Sequence, residues 1–256
     1  MEIDSEDYHD YVFRQGKLVG EFEQMYRKAK EIPWHQDKIA DELDLSIAKS
    51  FARVRSPYDT ILDVGCGLGY FAHELSGLGR NVYGIDVSPT AIQKLKACFP
   101  HIEARVADIT ERQGDRPLFP GSSDFDLVVC RGLFWYVFPR MREVVANVTA
   151  WVKDRGCLLI HQNFPDLEGN FVGKDVIPTP ARLAEFFLEG GTFRVVYANV
   201  LEDRAKSKGN DNWHTFLLEK SGGCCGPAGE ASSAFRTISS RSTARAAGGG
   251  NSTPKR

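Results

Sequence analysis

The stretch Thr60-Ile61-Leu62-Asp63-Val64-Gly65-Cys66-Gly67-Leu68-Gly69, with an acidic residue following at Asp86, decides how this chain folds. Ile61 to Val64 reads as a short buried strand, and three alternating glycines follow where a strand turns into a helix. Glycine at that turn lets the backbone approach a ligand closely, because no Cβ intervenes. Asn81 to Ile85 reads as a second strand, and Asp86 at its end is placed to accept from the two hydroxyls of a ribose. A doubly wound α/β sheet puts these two strand ends side by side, so the pattern outlines a pocket for an adenosine-type cofactor.

Adenosine cofactors divide by what the glycine turn must hold. A dinucleotide needs Gly-x-Gly-x-x-Gly, whose third glycine lets helix and strand pack tightly while the pyrophosphate rests on the helix N-terminus. Counted from Gly65 and Gly67, that position is Tyr70, a bulky aromatic that argues against a nicotinamide-dependent oxidoreductase. The chain instead places Asp63 two residues ahead of the first glycine. A carboxylate there suits an ammonium group better than a pyrophosphate, and S-adenosylmethionine offers an α-ammonium, a sulfonium and no phosphate.

Leu62 to Gly69 resembles the glycine-rich motif of the class I S-adenosylmethionine-dependent methyltransferases. The resemblance continues through Gly84-Ile85-Asp86-Val87-Ser88, Val106-Ala107-Asp108-Ile109 and Phe125 to Cys130, so that about residues 55 to 220 follow the family pattern. It implies a Rossmann-like, doubly wound α/β fold whose seven-stranded sheet runs in the order 3-2-1-4-5-7-6, mostly parallel with an antiparallel last strand. It implies S-adenosylmethionine as cofactor, S-adenosylhomocysteine as product, and methyl transfer to an O or N atom of a small molecule such as a metabolite, a natural-product intermediate or a sugar. A non-catalytic S-adenosylmethionine-binding partner subunit is the alternative.

Nucleic acid is not the expected acceptor. Strand four of the family pattern, Phe125 to Cys130, is followed by neither the Asn/Asp-Pro-Pro-aromatic signature of amino-methylating DNA enzymes nor the Pro-Cys of cytosine C5 enzymes. The net charge is −2, and residues 221–256 hold Arg236, Arg241, Arg245, Lys255 and Arg256 against Glu230, which leaves the rest of the chain acidic and poorly suited to a phosphate backbone. The acidic N-terminus and the absence of a long apolar run give no signal peptide or membrane span, and a cytoplasmic protein is expected. The six cysteines show no metal-ligand spacing: Cys66, Cys98, Cys130 and Cys157 are expected as reduced thiols in core elements or motifs, with Cys66 and Cys130 bordering the pocket, and Cys224 and Cys225 fall in the tail.

Three segments are expected: a helical N-terminal cap or lid over residues 1–50, the cofactor-binding methyltransferase domain over 51–220, and a disordered Gly/Ser/Ala-rich basic tail over 221–256. In the domain, Phe71, Leu75 and Leu78 stripe one helix, and Ile92, Leu95 and Phe99 stripe a second that opens with Ser88 and Pro89. Val144, Val145, Val148, Trp151 and Val152 mark a longer helix from near Pro139, and Thr179-Pro180 opens another that Gly190-Gly191 closes. Phe125 to Cys130 and Gly156 to Gln162 are the apolar runs of strands covered on both faces, and Phe193 to Leu201 with Trp213 to Glu219 form an antiparallel pair.

The resemblance assigns roles residue by residue. Asp63 anchors the methionine ammonium, the loop at Gly65, Cys66, Gly67 and Gly69 lines the donor, Asp86 with Val87 holds the ribose, and Asp108 with Ile109 addresses the adenine. Cys130 borders the donor from strand four, and Trp34 and Gln36, in a segment similar to the N-terminal cover of thiopurine-type methyltransferases, close over it. His161, whose imidazole titrates near neutrality, and Tyr136 are the candidate bases, and Arg131 is placed to orient an acidic substrate.

Overall fold

The computed structural model describes residues 5, 7–111, 117–122, 124–202 and 212–222, the side chains of 39–41 excepted. The expected tail, including Cys224 and Cys225, lies outside the described residues apart from Ser221 and Gly222. The first elements among the described residues are a 3-10 turn, Tyr8–Tyr11, and a short hairpin pairing Phe13–Arg14 with Lys17–Leu18. Helix α1 (Phe22–Lys28), a 3-10 segment (Pro33–Asp41) and helix α2 (Leu43–Arg53) follow.

The glycine motif then behaves as its sequence requires. Strand β1 (Tyr58–Val64) runs into the loop, and Gly65, Gly67 and Gly69 take φ of 71°, 52° and 85°, left-handed values that cost an L-residue about 1–2 kcal/mol. Helix α3 (Tyr70–Leu75) is shorter than its apolar stripe implied, and Leu78 lies beyond its end yet is buried. Strand β2 (Gly79–Asp86) begins two residues before Asn81. Helix α4 (Pro89–Cys98) opens as expected, with the Ser88 hydroxyl accepting from the Ala91 amide at 3.1 Å.

Strand β3 (Glu103–Val106), strand β4 (Phe125–Arg131) and the short helix α5 (Phe134–Val137) lead to helix α6 (Met141–Trp151). Val152, expected on the helix face, instead starts strand β5 (Val152–Phe164). Helix α7 (Pro180–Leu188) is capped by the Thr179 hydroxyl, and strands β6 (Phe193–Leu201) and β7 (Asn212–Lys220) complete the sheet. The sheet order is β3-β2-β1-β4-β5-β7-β6, with β7 antiparallel to both neighbours and the other pairs parallel. Strand order reverses between β1 and β4, and the crevice at their carboxyl ends is where such sheets bind ligands.

The N-terminal residues divide differently from the expected boundary at 50. Leu45, Ala48 and Ala52 of α2 join Ile61, Phe71, Leu127 and Leu159 in the core on one face of the sheet, so α2 belongs to the helical layer of the main domain. Tyr11, Val12, Met25 and Tyr26 form a separate small core with Leu68 and Ala91, which seats the segment from Tyr8 to α1 over the glycine loop and the start of α4. Among the described residues no helix is long and apolar enough to cross a membrane, and no cluster of three or more His, Cys, Asp and Glu is arranged to hold a metal ion.

Candidate active site

A cavity of about 700 Å³ opens at the switch point, within the size range of small-molecule sites. Asp63 and Asp86 from the strand ends, Gly65 and Cys66 from the loop, and Val87, Asp108 and Ile109 all line it, as do Trp34, Gln36 and Tyr136. Gly67, Gly69, Cys130 and His161 do not. Gly67 lies directly beneath the N-terminal segment: a Cβ there would stand 2.6 Å from Gln36 Oε1 and 2.7 Å from the Tyr26 hydroxyl. Gly69 serves helix packing, since its Cβ would meet Leu95 of α4 at 2.5 Å. Cys130 is enclosed in β4, and burial pushes its thiol far up, as it does for Cys66.

The loop's hydrogen bonds show what kind of ligand it serves. The Gly65 and Cys66 amides both donate to the Ile85 carbonyl, at 2.8 and 2.9 Å, and the Gly69 amide donates to Cys66 O at 2.9 Å. The Gly67 amide donates to Asp86 Oδ2 at 3.0 Å and the Leu68 amide to Gln36 Oε1 at 3.0 Å. Every N–H from Gly65 to Gly69 therefore has an acceptor within the protein, and none is offered to a pyrophosphate. Asp63 is the reverse case: it is 3% exposed and its Oδ2 has no partner among the described residues. Burial pushes its carboxyl up to about 7, while the Arg131 charge opposes the rise. A buried acceptor that lacks a donor fits an ammonium group, which both satisfies and neutralises it.

Asp86 retains acceptor capacity although Gly67 and Ser88 amides already donate to its two oxygens, because a carboxylate offers about four lone-pair sites. Burial pushes it up to about 6, against the pull of these backbone donors. Asp108 accepts from the Thr110 amide and hydroxyl at 2.7 and 2.8 Å, a turn that fixes the carboxylate at the rim of the cavity.

The N-terminal segment forms the roof. Trp34 and His35 hold φ of 52° and 48°, and both line the cavity, so strained backbone coincides with the site. Trp34, Phe22 and Phe13 place their ring centroids 5.6, 5.3 and 5.9 Å from that of Tyr136. Gln36 bridges roof and loop, accepting from Leu68 and donating to the Tyr26 hydroxyl at 3.2 Å.

Both expected bases are corrected by their surroundings. His161 is fully enclosed: Nδ1 lies 2.9 Å from the Thr215 hydroxyl, Nε2 lies 3.4 Å from Asp44 Oδ2, and the ring stacks on Trp213. Burial lowers its pKa, and no nitrogen reaches the cavity. Tyr136 reaches the cavity, but burial raises its phenol far above the ordinary value and keeps it protonated. The imidazoles that line the cavity are His9 and His35, and His9 has its Nδ1 2.9 Å from Asp7 Oδ1. The Asp7-Tyr8-His9 spacing is visible in sequence, yet nothing there shows that it folds back over a loop sixty residues away.

The methyltransferase-domain family profile matches residues 62–158, which carry the glycine loop, Asp86, Asp108 and β4. Residues 62–158 are a class I S-adenosylmethionine-dependent methyltransferase domain. The cofactor of such a domain is S-adenosylmethionine, and the orphaned Asp63 oxygen and the fully engaged loop amides fit it. Ubiquinone biosynthesis O-methyltransferase of Coxiella burnetii is 29% identical over 121 residues, 46% of this chain and 50% of that protein. The chain thus spans about half the length of the curated relatives it matches. The N-methyltransferase NodS of Bradyrhizobium japonicum WM9, solved with S-adenosylhomocysteine, superposes with a TM-score of 0.60 at 17% identity, covering 77% of this chain and 97% of that one. The [4+2]-cyclase SpnF superposes with a TM-score of 0.55 at 14% identity over 70% of this chain and 81% of that one. Likeness at these identities establishes the fold, and activity has to be argued from the site.

Proposed function

We propose that the protein transfers a methyl group from S-adenosylmethionine to an O or N atom of a small-molecule acceptor. The observation that carries this reading is the pairing of an unpartnered buried carboxylate, Asp63, with a glycine loop whose amides are all engaged. When bound, S-adenosylmethionine supplies an electrophilic methyl group on a good leaving group.

Asp63 accepts from the ammonium, Asp86 from the ribose hydroxyls, and Asp108 with Ile109 meets the adenine. Gln36 ties the roof to the Leu68 amide, so that Trp34 and the surrounding rings exclude water from the donor. Such a site works chiefly by positioning, which supplies effective molarities of about 10⁵ to 10⁸ M. Trp34, Tyr136, Trp135 and Phe13 wall the rest of the cavity and favour an acceptor with an apolar or planar body. His9 takes the acceptor's proton at Nε2 while Asp7 holds the Nδ1 hydrogen and orients the ring.

Mass spectrometry of ligand retained on purification, followed by transfer of labelled methyl to a panel of small O- and N-nucleophiles, tests the proposal. Retained S-adenosylhomocysteine and labelled product are expected. A retained donor with no transfer across the panel would favour a non-catalytic binding subunit. Within an active enzyme, His9→Gln is expected to lower kcat about 10²-fold or more with donor affinity unchanged.

A further inference from the structure

Two histidines converge at a place the donor cavity does not reach. His73, in the last turn of α3, and His101, in the turn between α4 and β3, bring Nδ1 and Nε2 to 3.2 Å of one another, and neither residue lines the cavity. Ser76, at the end of α3, puts its hydroxyl oxygen 3.3 Å from the same Nε2 of His101. That hydroxyl donates back to the Ala72 carbonyl at 3.3 Å, so it turns lone pairs toward His101. A neutral imidazole nitrogen carries either one hydrogen or one lone pair. Three polar atoms therefore meet where the two facing nitrogens share a single hydrogen.

Both rings stand on anchored backbone. Phe71, Ala72 and Leu75 bury one side of α3, and the turn that carries His101 is closed by the Ile102 amide donating to the Phe99 carbonyl at 3.0 Å, with Ile102 buried. Phe99 stacks on His73, centroids 4.7 Å and planes 18° apart, and meets His101 at 87° with 6.3 Å between centroids. One phenyl ring thus braces both imidazoles. Both histidines are exposed, which gives an ion access from solvent. A tetrahedral ion with Zn–N distances of about 2.0–2.1 Å holds two nitrogens about 3.3–3.4 Å apart, close to the spacing already present.

We propose that His73 Nδ1 and His101 Nε2 chelate one divalent cation of the zinc type, with the ring hydrogens on the opposite nitrogens and Ser76 Oγ and water completing its shell. Imidazole donors suit Zn²⁺, Cu²⁺ and Ni²⁺, whereas Mg²⁺ and Ca²⁺ take oxygen. The ion ties the end of α3 to the turn after α4. A Cβ at Gly69, where α3 begins, would meet Leu95 and Phe99, so the same two segments already pack closely beside the glycine loop. The ion is a structural staple behind that loop and does not touch the donor. Two ligands supply about half the binding free energy of a four-ligand zinc site, which corresponds to a Kd of about 1–200 µM.

Titration of the full chain with Zn²⁺, followed at the histidine ring nitrogens by 15N NMR, tests the site and separates it from thiolate binding at Cys98, Cys224 and Cys225. Saturable shifts of His73 and His101 together, with a Kd in that range and no response to Mg²⁺, are expected. His73→Gln and His101→Gln keep a polar side chain at an exposed position, and each is expected to push the Kd at the remaining ring above about 1 mM. Zn²⁺ is expected to raise the Tm of the native protein more than that of either variant. Ring shifts confined to His9 beside Asp7, a native Kd above about 1 mM, or equal affinity in the native protein and both variants overturns the proposal and leaves His73 and His101 as hydrogen-bond partners only.

Discussion

Replacing Asp63 by Asn is expected to act with opposite signs on stability and on binding. Unfolded, Asp63 ionises near its ordinary 3.8; folded and without ligand, it ionises at about 7 because it is buried. The folded state holds the extra proton between those values, so this group costs stability as pH rises through that window. The gap corresponds to about 4 kcal/mol at pH 8. Asn removes that cost but buries an amide hydrogen in place of the unpartnered oxygen, which costs about 1–3 kcal/mol. The net result is a gain of about 2 kcal/mol, or roughly 4–8 °C in Tm for a domain of this size.

The advantage should shrink by about 2 kcal/mol between pH 8 and pH 5.5, as the native Asp63 takes up its proton. S-adenosylhomocysteine affinity should fall about 10- to 100-fold, the loss of a hydrogen bond to a charged group. Thermal melts of both proteins at the two pH values, with and without ligand, read all of these quantities. A variant less stable than the native protein at pH 8, or a stability difference independent of pH, would refute the reasoning that Asp63 is an uncompensated buried carboxylate awaiting a cation.

Gly69→Ala is expected to lower stability by at least about 1–2 kcal/mol, through its left-handed φ and the contact with Leu95, while donor affinity of the folded fraction stays within about threefold. Urea unfolding and calorimetry check it. Gly67→Ala should differ, displacing Gln36 and Tyr26 and weakening donor binding more than about tenfold. Gln36→Ala leaves the Leu68 amide without its acceptor and unties the roof, so faster hydrogen exchange in residues 22–38 and about fivefold weaker donor binding are expected.

The sheet was legible because its strands are nearly continuous apolar runs and its helices carry their own caps; Ser88 and Thr179 both accept the amides that their positions imply. That the glycine loop and Asp86 border one cavity is legible because Gly67 and Asp86 lie only nineteen residues apart in the chain, at the ends of adjacent strands. A cap boundary at residue 50 cuts through helix α2, whose core face includes Ala48 and Ala52; these give a weak apolar signal, and only the packed sheet shows what they cover. The enclosure of His161 is hidden for a related reason. Its burial depends on Asp44, 117 residues earlier, and on stacking with Trp213, neither of which leaves a trace near residue 161. Left-handed Trp34 and His35 follow no turn signature, so the shape of the roof could not be read ahead of the fold.

Titration of the purified protein with S-adenosylhomocysteine and, separately, with NADH tests the central claim most directly. One site per chain for S-adenosylhomocysteine and none for NADH is the predicted result, because the loop presents a carboxylate and no free amide. Binding of NADH without binding of S-adenosylhomocysteine would contradict it.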